Sequence, residues 1–198
     1  MNKDFYKTYF ELEKDNWWFR VRRNMIFGLF KEYNFGKENK ILDYGCGSGF
    51  LVGKLQDRGY DAYGVDVSKE AIDFGTNKGI RSLFQQNGIK VNFPDNHFDV
   101  IWAMDVIEHI EDDRLAIKEL ERLLKLGGYL IITVPAYQWM WGVQDEVAHH
   151  YRRYTTKSVL ALVKNSRANL SIIRRTHFNT FLFGFGCHGS GLSWLLLS

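Results

Sequence analysis

Short apolar runs alternate with helix-length amphipathic segments along most of the chain. Up to about Tyr33 the apolar spacing is that of a helix, and Asn34 and Gly36 signal a turn. Beyond this point, short apolar strands alternate with helical stretches of the length that joins parallel strands. The order predicts βαβ units and a doubly wound, mostly parallel α/β sheet with helices on both faces.

Six strands and four helices are predicted after the N-terminal helical part. The strands are expected at residues 41–43, 62–66, 81–85, 98–103, 129–134 and 170–176. The helices are expected at residues 50–58, 68–78, 112–126 and 155–165, the second of them capped by Ser68. Ligands of such sheets bind beyond the carboxyl ends of the strands, so we expect the functional residues there.

The chain of 198 residues suits one domain with a sizeable core. We expect a single domain over residues 1–198, made of an N-terminal helical cap (1–36), a cofactor-binding core (37–135) and a substrate-side loop with C-terminal elements (136–198). The net charge of +3 (26 basic minus 23 acidic residues) is too small to argue for nucleic acid.

The cysteines indicate the cellular compartment of the protein, and its two terminal segments indicate whether it contacts a membrane. Cys46 and Cys187 form neither a metal-ligand pair nor a disulfide framework, so a reducing, cytoplasmic location is expected. The first residues lack the apolar core of a signal peptide. The apolar stretch from Phe181 to Leu197 is Gly-rich and slightly short for a membrane span, so a buried or interfacial tail is expected.

A glycine-rich turn follows the first predicted strand. Glycines 45, 47 and 49 allow unusual dihedral angles and let a ligand approach the backbone. The pattern differs from a dinucleotide fingerprint, because position 50 is Phe50 and not glycine. Asp43 before the turn would repel a pyrophosphate but suits a cationic ligand. Asp66 ends the second strand, where an acid accepts hydrogen bonds from the ribose hydroxyls of an adenosine.

Four segments in order resemble the motif series of class I S-adenosylmethionine-dependent methyltransferases. They read LDYGCGSG, GVDVS, FPDNHFDVIWAMDVIEHI and LKLGGYLIITVP, and the resemblance covers Lys40 to Pro135. With the Trp-Trp-Phe segment at residue 17, HYRRYT at residue 150 and His-Phe-Asn at residue 177, the chain resembles a bacterial subgroup of type 11/12 methyltransferase domains.

The resemblance implies a Rossmann-like class I methyltransferase fold, S-adenosylmethionine as cofactor and S-adenosylhomocysteine as product. By this resemblance, the glycine turn binds the methionine part of the cofactor, and the end of the fourth strand lines the same part. Asp66 binds the ribose, Val67 packs on the face of the adenine, and Asn87 accepts a hydrogen bond from the adenine amino group. The implied cofactor residues are Asp43, Gly45, Cys46, Gly47, Gly49, Asp66, Val67, Asn87, Ala103, Met104 and Asp105.

Candidate general bases lie after the fourth and fifth strands. His150 is the first candidate, since a histidine accepts a proton at neutral pH, and Asp145 and His109 are the others. A purely structural role for His150 stays open. The pair His149-His150 has no cysteine or carboxylate at metal-ligand spacing, so no metal site is expected.

The expected function is methyl transfer to a small-molecule, lipid or glycan-precursor acceptor. Two alternatives stay open: a cofactor-binding domain without turnover, and an NAD-dependent oxidoreductase. A nucleic-acid methyltransferase is disfavoured, because residues 103–106 read Ala-Met-Asp-Val and not the Asn/Asp-Pro-Pro-aromatic run of amino-methylating DNA enzymes.

Two features of the flanks complete the expectations. The segment Trp17–Arg23 is expected to do one of two things: its aromatic residues cover the edge of the sheet, or it caps the cofactor. In the second case, one of its arginines pairs with the carboxylate of the cofactor's methionine part. The seventh strand that usually ends this fold is expected to be absent or very short. The exposed sheet edge would then be covered by the apolar tail or by a homodimer.

Overall fold

A computed structural model describes residues 3–178 and 192–197 of the chain. Seven strands of the described residues form one sheet, which confirms the predicted α/β fold class. Their order in the sheet is β3 (Leu83–Gln85), β2 (Asp61–Asp66), β1 (Lys40–Tyr44), β4 (Phe98–Met104), β5 (Leu124–Pro135), β7 (Leu192–Leu197) and β6 (Ile172–Phe178). The chain divides into two compact units, residues 1–88 and residues 89–198, which are described in turn. The division into cap, core and substrate-side region stays a prediction.

The first unit contains two N-terminal helices and three strands joined by helices. Strand β2 pairs in parallel with β1 on one side and with β3 on the other. The apolar run of β1 is buried, with Ile41 and Leu42 fully inaccessible to solvent. The elements are α1 (Lys3–Asp15), α2 (Trp17–Glu32), β1 (Lys40–Tyr44), α3 (Phe50–Gln56), β2 (Asp61–Asp66), α4 (Lys69–Asn77) and β3 (Leu83–Gln85).

The described residues of the second unit form four strands and three helices. Strand β5 pairs in parallel with β4 and antiparallel with β7, and β7 pairs antiparallel with β6. Two single 3-10 turns lie at Ile107–His109 and Gln138–Met140. The elements are β4 (Phe98–Met104), α5 (Asp113–Leu123), β5 (Leu124–Pro135), α6 (Val143–Val147), α7 (Thr156–Ser166), β6 (Ile172–Phe178) and β7 (Leu192–Leu197).

The expectation about the seventh strand was wrong. Strand β7 has six residues and lies between β5 and β6, where Leu195, Leu196 and Leu197 are buried. The backbone of β7 is paired on both sides and the side of β5 next to it is covered, so the unpaired edge for which a homodimer was expected is not present there. The rest of the predicted tail, residues 181–191, lies outside the described residues. Within those that are described, no helix is both long enough and apolar enough to cross a bilayer.

Local signals placed most element boundaries, with one notable error. The Ser68 side chain accepts from the Ala71 N–H at 3.2 Å, as an N-cap does. Helix α5 was expected to continue to residue 126 but ends at Leu123, and Leu124 already pairs with Phe98 as the start of β5. The glycines at 127 and 128 therefore lie within the strand and not at a helix end, because pairing with β4 overrides the local stop signal.

Candidate functional site

The glycine turn joins β1 to α3 in the first unit. Gly45, Gly47 and Gly49 all have positive φ angles, of 80°, 55° and 74°, which favour glycine over any other residue. A Cβ atom on Gly47 would meet nothing within 4 Å, whereas one on Gly49 would lie 2.6 Å from Leu83. The left-handed conformation and the close approach of the Leu83 side chain therefore both favour glycine at position 49, and Gly47 leaves open space in which a ligand can reach the backbone.

Asp66 lies at the mouth of this turn, at the carboxyl end of β2. Its Oδ2 accepts from the Gly47 N–H at 2.8 Å, and its Oδ1 accepts from the Ser68 N–H at 2.9 Å. A carboxylate oxygen accepts two hydrogen bonds, so each oxygen keeps capacity for a hydroxyl donor. The juxtaposition of glycine backbone and acid that the sequence predicts is thus present, and the ribose role of Asp66 stays a proposal.

Two further residues of the predicted turn are buried in the first unit. Asp43 and Cys46 are 5% and 7% exposed. Burial, and then the charges of Asp43 and Asp66, raise the pKa of the Cys46 thiol well above its usual value. A Cβ on Gly64 would lie 2.7 Å from the Cys46 sulfur. Cys46 is therefore a neutral packing residue whose backbone belongs to the turn.

The predicted adenine contacts follow β2 and β3. The Val67 side chain is 61% exposed, and Asn87 is an exposed residue in the loop after β3. Sequence reasoning missed the neighbouring Gln86. This residue is buried, its N–H donates to the Asp66 carbonyl at 2.9 Å, and its Oε1 has no hydrogen-bond partner among the described residues. Two consecutive glutamines at positions 85 and 86 are typical of an exposed segment, so the sequence did not indicate that Gln86 is buried.

The N-terminal helices contact the glycine turn. The Phe10 ring packs edge-on against Phe50 and Phe74, with centroids 5.0 and 5.5 Å apart. The Ser48 hydroxyl of the turn donates to the Glu13 carboxylate at 3.2 Å. Helix α1 therefore packs on the first turn of α3, and Glu13 is a residue of this site that the sequence did not reveal.

Charged groups of these helices pair with one another. Burial raises the pKa of Glu13 to about 7, although Ser48, Arg22 and Arg23 act in the opposite direction. Arg23 donates to the carbonyls of Glu13 and Lys14 at the end of α1. This arginine thereby stabilises the helix end, which makes it a poor choice for a cofactor carboxylate.

The end of β4 lies in the second unit. Ala103 is buried, and Met104 and Asp105 are partly exposed. Asp105 has a φ of 54°, which is uncommon outside glycine. Its N–H donates to the Thr133 carbonyl at 3.0 Å, and the Thr133 hydroxyl donates to its carboxylate at 2.9 Å. These bonds to β5 hold a sharp turn in the chain directly after the strand.

His150 and Asp145 form a hydrogen-bonded pair in the second unit. The His150 Nδ1 lies 2.9 Å from Asp145 Oδ1, and Arg153 donates to both oxygens of Asp145 at 2.7 and 2.8 Å. Burial acts to raise the pKa of Asp145, but hydrogen bonds from Arg153, the Gly142 N–H and His150 outweigh it and lower the pKa to about 2. An ionised carboxylate only accepts, so the His150 Nδ1 is the donor, and in the neutral imidazole the lone pair lies on Nε2.

His109, the third candidate, lies beside His150. The two rings meet edge to face with centroids 4.6 Å apart. Glu108 joins them, and ligand atoms of Glu108, His109 and His150 all lie within 4.8 Å of one another. The Tyr151 N–H donates to the Glu108 carbonyl at 2.8 Å, which ties the two segments together. Sequence reasoning missed Glu108, because its carboxylate is 42 positions away from His150.

Comparisons with known proteins agree with this architecture. Residues 42–132 match the family described as Methyltransferase domain. The uncharacterized methyltransferase YcgJ of Bacillus subtilis is 31% identical over 122 residues, which cover 59% of this chain and 48% of that protein. A ubiquinone biosynthesis O-methyltransferase of Coxiella burnetii is 28% identical over 141 residues, covering 63% of this chain and 60% of that protein. The chain thus spans about half to three-fifths of the length of these relatives.

Solved structures share the fold. The chain superposes on a SAM-dependent methyltransferase of Aquifex aeolicus with a TM-score of 0.69 and 18% identity, over 100% of this chain and 98% of that one. At this identity the likeness shows the fold and no more. Together with the strand order and the motif series, it shows the class I S-adenosylmethionine-dependent methyltransferase fold, and residues 42–132 of that fold match a methyltransferase domain.

Proposed function

We propose that this chain transfers a methyl group from S-adenosylmethionine to a small-molecule, lipid or glycan-precursor acceptor. One observation carries the proposal: the Asp66 carboxylate accepts from the Gly47 N–H at 2.8 Å, and the space around the Gly47 Cα is open. The carboxylate of Asp66, which can accept from ribose hydroxyls, therefore lies next to the accessible backbone of Gly47, which can contact another part of the cofactor. The residues present fit the cofactor of this family.

The proposed cofactor contacts follow from where each group lies. Asp66 keeps acceptor capacity for the ribose, and the exposed Val67 offers an apolar surface to the adenine. The side-chain oxygen of the exposed Asn87 accepts from the adenine amino group. When bound, S-adenosylmethionine supplies an electrophilic methyl group on a positively charged sulfur. The protein's part is then to position the reactants and exclude water.

The nature of the acceptor is inferred from the second unit. Tyr137 and Trp139 stack with ring centroids 6.0 Å apart, and Trp139 is 77% exposed. Exposed aromatic rings suit an acceptor with an apolar or aromatic body. The Coxiella relative is named for O-methylation in ubiquinone biosynthesis, which supports a hydroxyl group on such an acceptor.

A hydroxyl acceptor loses its proton as its oxygen bonds the methyl carbon and the carbon–sulfur bond breaks toward sulfur. We assign the removal of this proton to His150. The ionised Asp145 fixes the proton on Nδ1, so Nε2 is the accepting atom. Asp145 itself is fully buried and held by Arg153, which suits positioning better than proton transfer.

Cofactor identity is tested by ligand-dependent stabilisation. S-adenosylhomocysteine at 100 times its dissociation constant is expected to stabilise the protein by about 2.7 kcal/mol, measured by thermal shift. NAD at the same concentration is the control and is expected to change nothing. Stabilisation by NAD without stabilisation by S-adenosylhomocysteine would favour the oxidoreductase and reject the proposal.

Turnover is tested with S-adenosylmethionine and a panel of phenolic, quinol-lipid and sugar acceptors, by release of S-adenosylhomocysteine. On an accepted substrate, His150→Ala is expected to lower kcat about 10²–10⁴-fold, as loss of a general base does. His149→Ala is the matched control, because His149 is exposed and lies outside the cluster. Full activity of His150→Ala would remove the assigned role. Tight cofactor binding with no turnover across the panel would support a binding domain instead.

A further inference from the structure

Three metal-ligating side chains converge in the second unit. Glu108 and His109 come from the 3-10 turn after β4, and His150 comes from the loop after α6. One ligand atom of each lies within 4.8 Å of the other two. Two imidazole nitrogens and one carboxylate oxygen are a donor set that holds catalytic zinc and iron in proteins while leaving coordination positions open.

The orientation of His150 is the second observation, and it is independent of the cluster itself. Asp145 accepts from the His150 Nδ1 at 2.9 Å, and Asp145 is fixed by two hydrogen bonds from Arg153. Metal-binding histidines almost always donate their other ring N–H to a carboxylate or carbonyl in this way. The bond sets the tautomer with its lone pair on Nε2, which is the form that binds a metal.

The backbone fixes the two segments to one another. The Tyr151 N–H, directly after His150, donates to the Glu108 carbonyl at 2.8 Å. The Glu108 side chain is fully buried, and a cation is attracted more strongly to a carboxylate in a medium of low dielectric constant. His109 is exposed, so an ion held here remains accessible to an outer ligand.

We propose that Glu108, His109 and His150 bind one divalent transition-metal ion of the zinc type. Imidazole nitrogens favour zinc and its neighbours over magnesium, which prefers an all-oxygen shell. The proposal is contrary to the sequence-based expectation of no metal site. That expectation considered only ligands near the His149-His150 pair, and chain folding brings Glu108 and His109 to His150 from 42 and 41 positions away.

The site would change how the acceptor is activated, and this consequence rests on the proposed function. A metal ion coordinated by His150 Nε2 would occupy the lone pair of that nitrogen. His150 could then no longer remove the proton from the hydroxyl group of the methyl acceptor. The ion instead lowers the pKa of a hydroxyl group that it binds, so that the hydroxyl ionises at neutral pH. Metal binding itself needs no turnover and is measured separately.

Zinc chloride is the probe, added to the purified full chain and followed by isothermal titration calorimetry. We expect one ion per chain in the wild type and a loss of affinity of at least 10-fold in His109→Ala, His150→Ala and Glu108→Gln. His149→Ala is the matched control and is expected to bind as the wild type does. Magnesium chloride is expected to bind at least 10-fold more weakly than zinc chloride. Cobalt(II) chloride is expected to give visible absorption bands that disappear in His109→Ala.

His109→Ala is the decisive variant, because an exposed side chain can be removed without leaving a cavity in the core. Absence of stoichiometric zinc binding, or equal loss in His149→Ala, would overturn the proposal. Zinc binding without methyl transfer supports the site and contradicts the proposed function. If the protein binds no zinc and a chelator leaves methyl transfer unchanged, the proposed function is supported and the metal site is contradicted.

Discussion

The glycine turn in the first unit and the histidine cluster in the second are stabilised in different ways. The turn is held by backbone: positive φ angles at three glycines, and N–H groups of Gly47 and Ser68 on one carboxylate. The cluster is held by side-chain charge, because Arg153 fixes Asp145 and Asp145 fixes His150. The first site therefore depends on backbone conformation and on its hydrogen bonds to an acid 19 positions along the chain, whereas the second depends on a buried ionic network in which His150 and Arg153 lie 5 and 8 positions from Asp145.

The largest expected effect is on the ionic network. Asp145 is fully buried and the Arg153 side chain is 7% exposed, so Asp145→Asn leaves a buried cation without its counter-charge. We expect the free energy of unfolding to fall by about 3–5 kcal/mol, measured by urea denaturation.

The exposed pair Lys69–Asp73, at 2.6 Å, provides the control. Asp73→Asn is expected to cost less than about 1 kcal/mol, since water already screens that pair. Equal losses in Asp145→Asn and Asp73→Asn would show that the second site does not depend on its buried charges.

A somewhat smaller effect is expected at the acid of the first site. Asp66→Ala removes the proposed acceptor of the ribose hydroxyls, and a hydrogen bond to a charged group contributes about 1.5–3 kcal/mol. The affinity for S-adenosylhomocysteine should therefore fall roughly 10–100-fold, measured by calorimetry. Asp61→Ala, at the other end of β2, is exposed and should leave the affinity unchanged. Wild-type affinity in Asp66→Ala would contradict the ribose role.

Conformation and ligand contact are separated by two glycine variants. Gly47 and Gly79 both have positive φ angles, and a Cβ on either would meet nothing within 4 Å. Alanine at either position should cost about 1–2 kcal/mol of stability, because both require the left-handed conformation. Only Gly47→Ala should also weaken binding of S-adenosylhomocysteine. If both variants bind equally well, the open space at Gly47 has no role in the cofactor site.

The last expected effect is a pH dependence of stability from Glu13. Its pKa is about 7 in the folded chain against an ordinary 4.5, so the folded state binds a proton that the unfolded state releases. Stability from this group is full below pH 4.5 and is lost as the pH rises toward 7. Thermal melts of Glu13→Gln should lack this part of the pH dependence. The same slope in wild type and variant would assign it to other groups.

The sequence by itself determined the class of fold and predicted that the glycine turn and Asp66 lie together. Strand periodicity, the glycine spacing and Asp66 are local signals, and parallel strands bring their carboxyl ends to one edge whatever the helices between them contain. Glu13 and Gln86 escaped detection, because their burial arises from packing against segments far along the chain.

Only the tertiary structure decided the second site and the place of β7. His150, Asp145 and His109 were each identified as single candidates. Their arrangement with Glu108 depends on the hydrogen bond from the Tyr151 N–H to the Glu108 carbonyl, which lies 43 positions earlier in the chain. Strand β7 inserts between β5 and β6 because pairing partners, and not the local apolar run, set strand order. Periodicity reports which face of a segment is buried, whereas long-range contacts determine what that face meets.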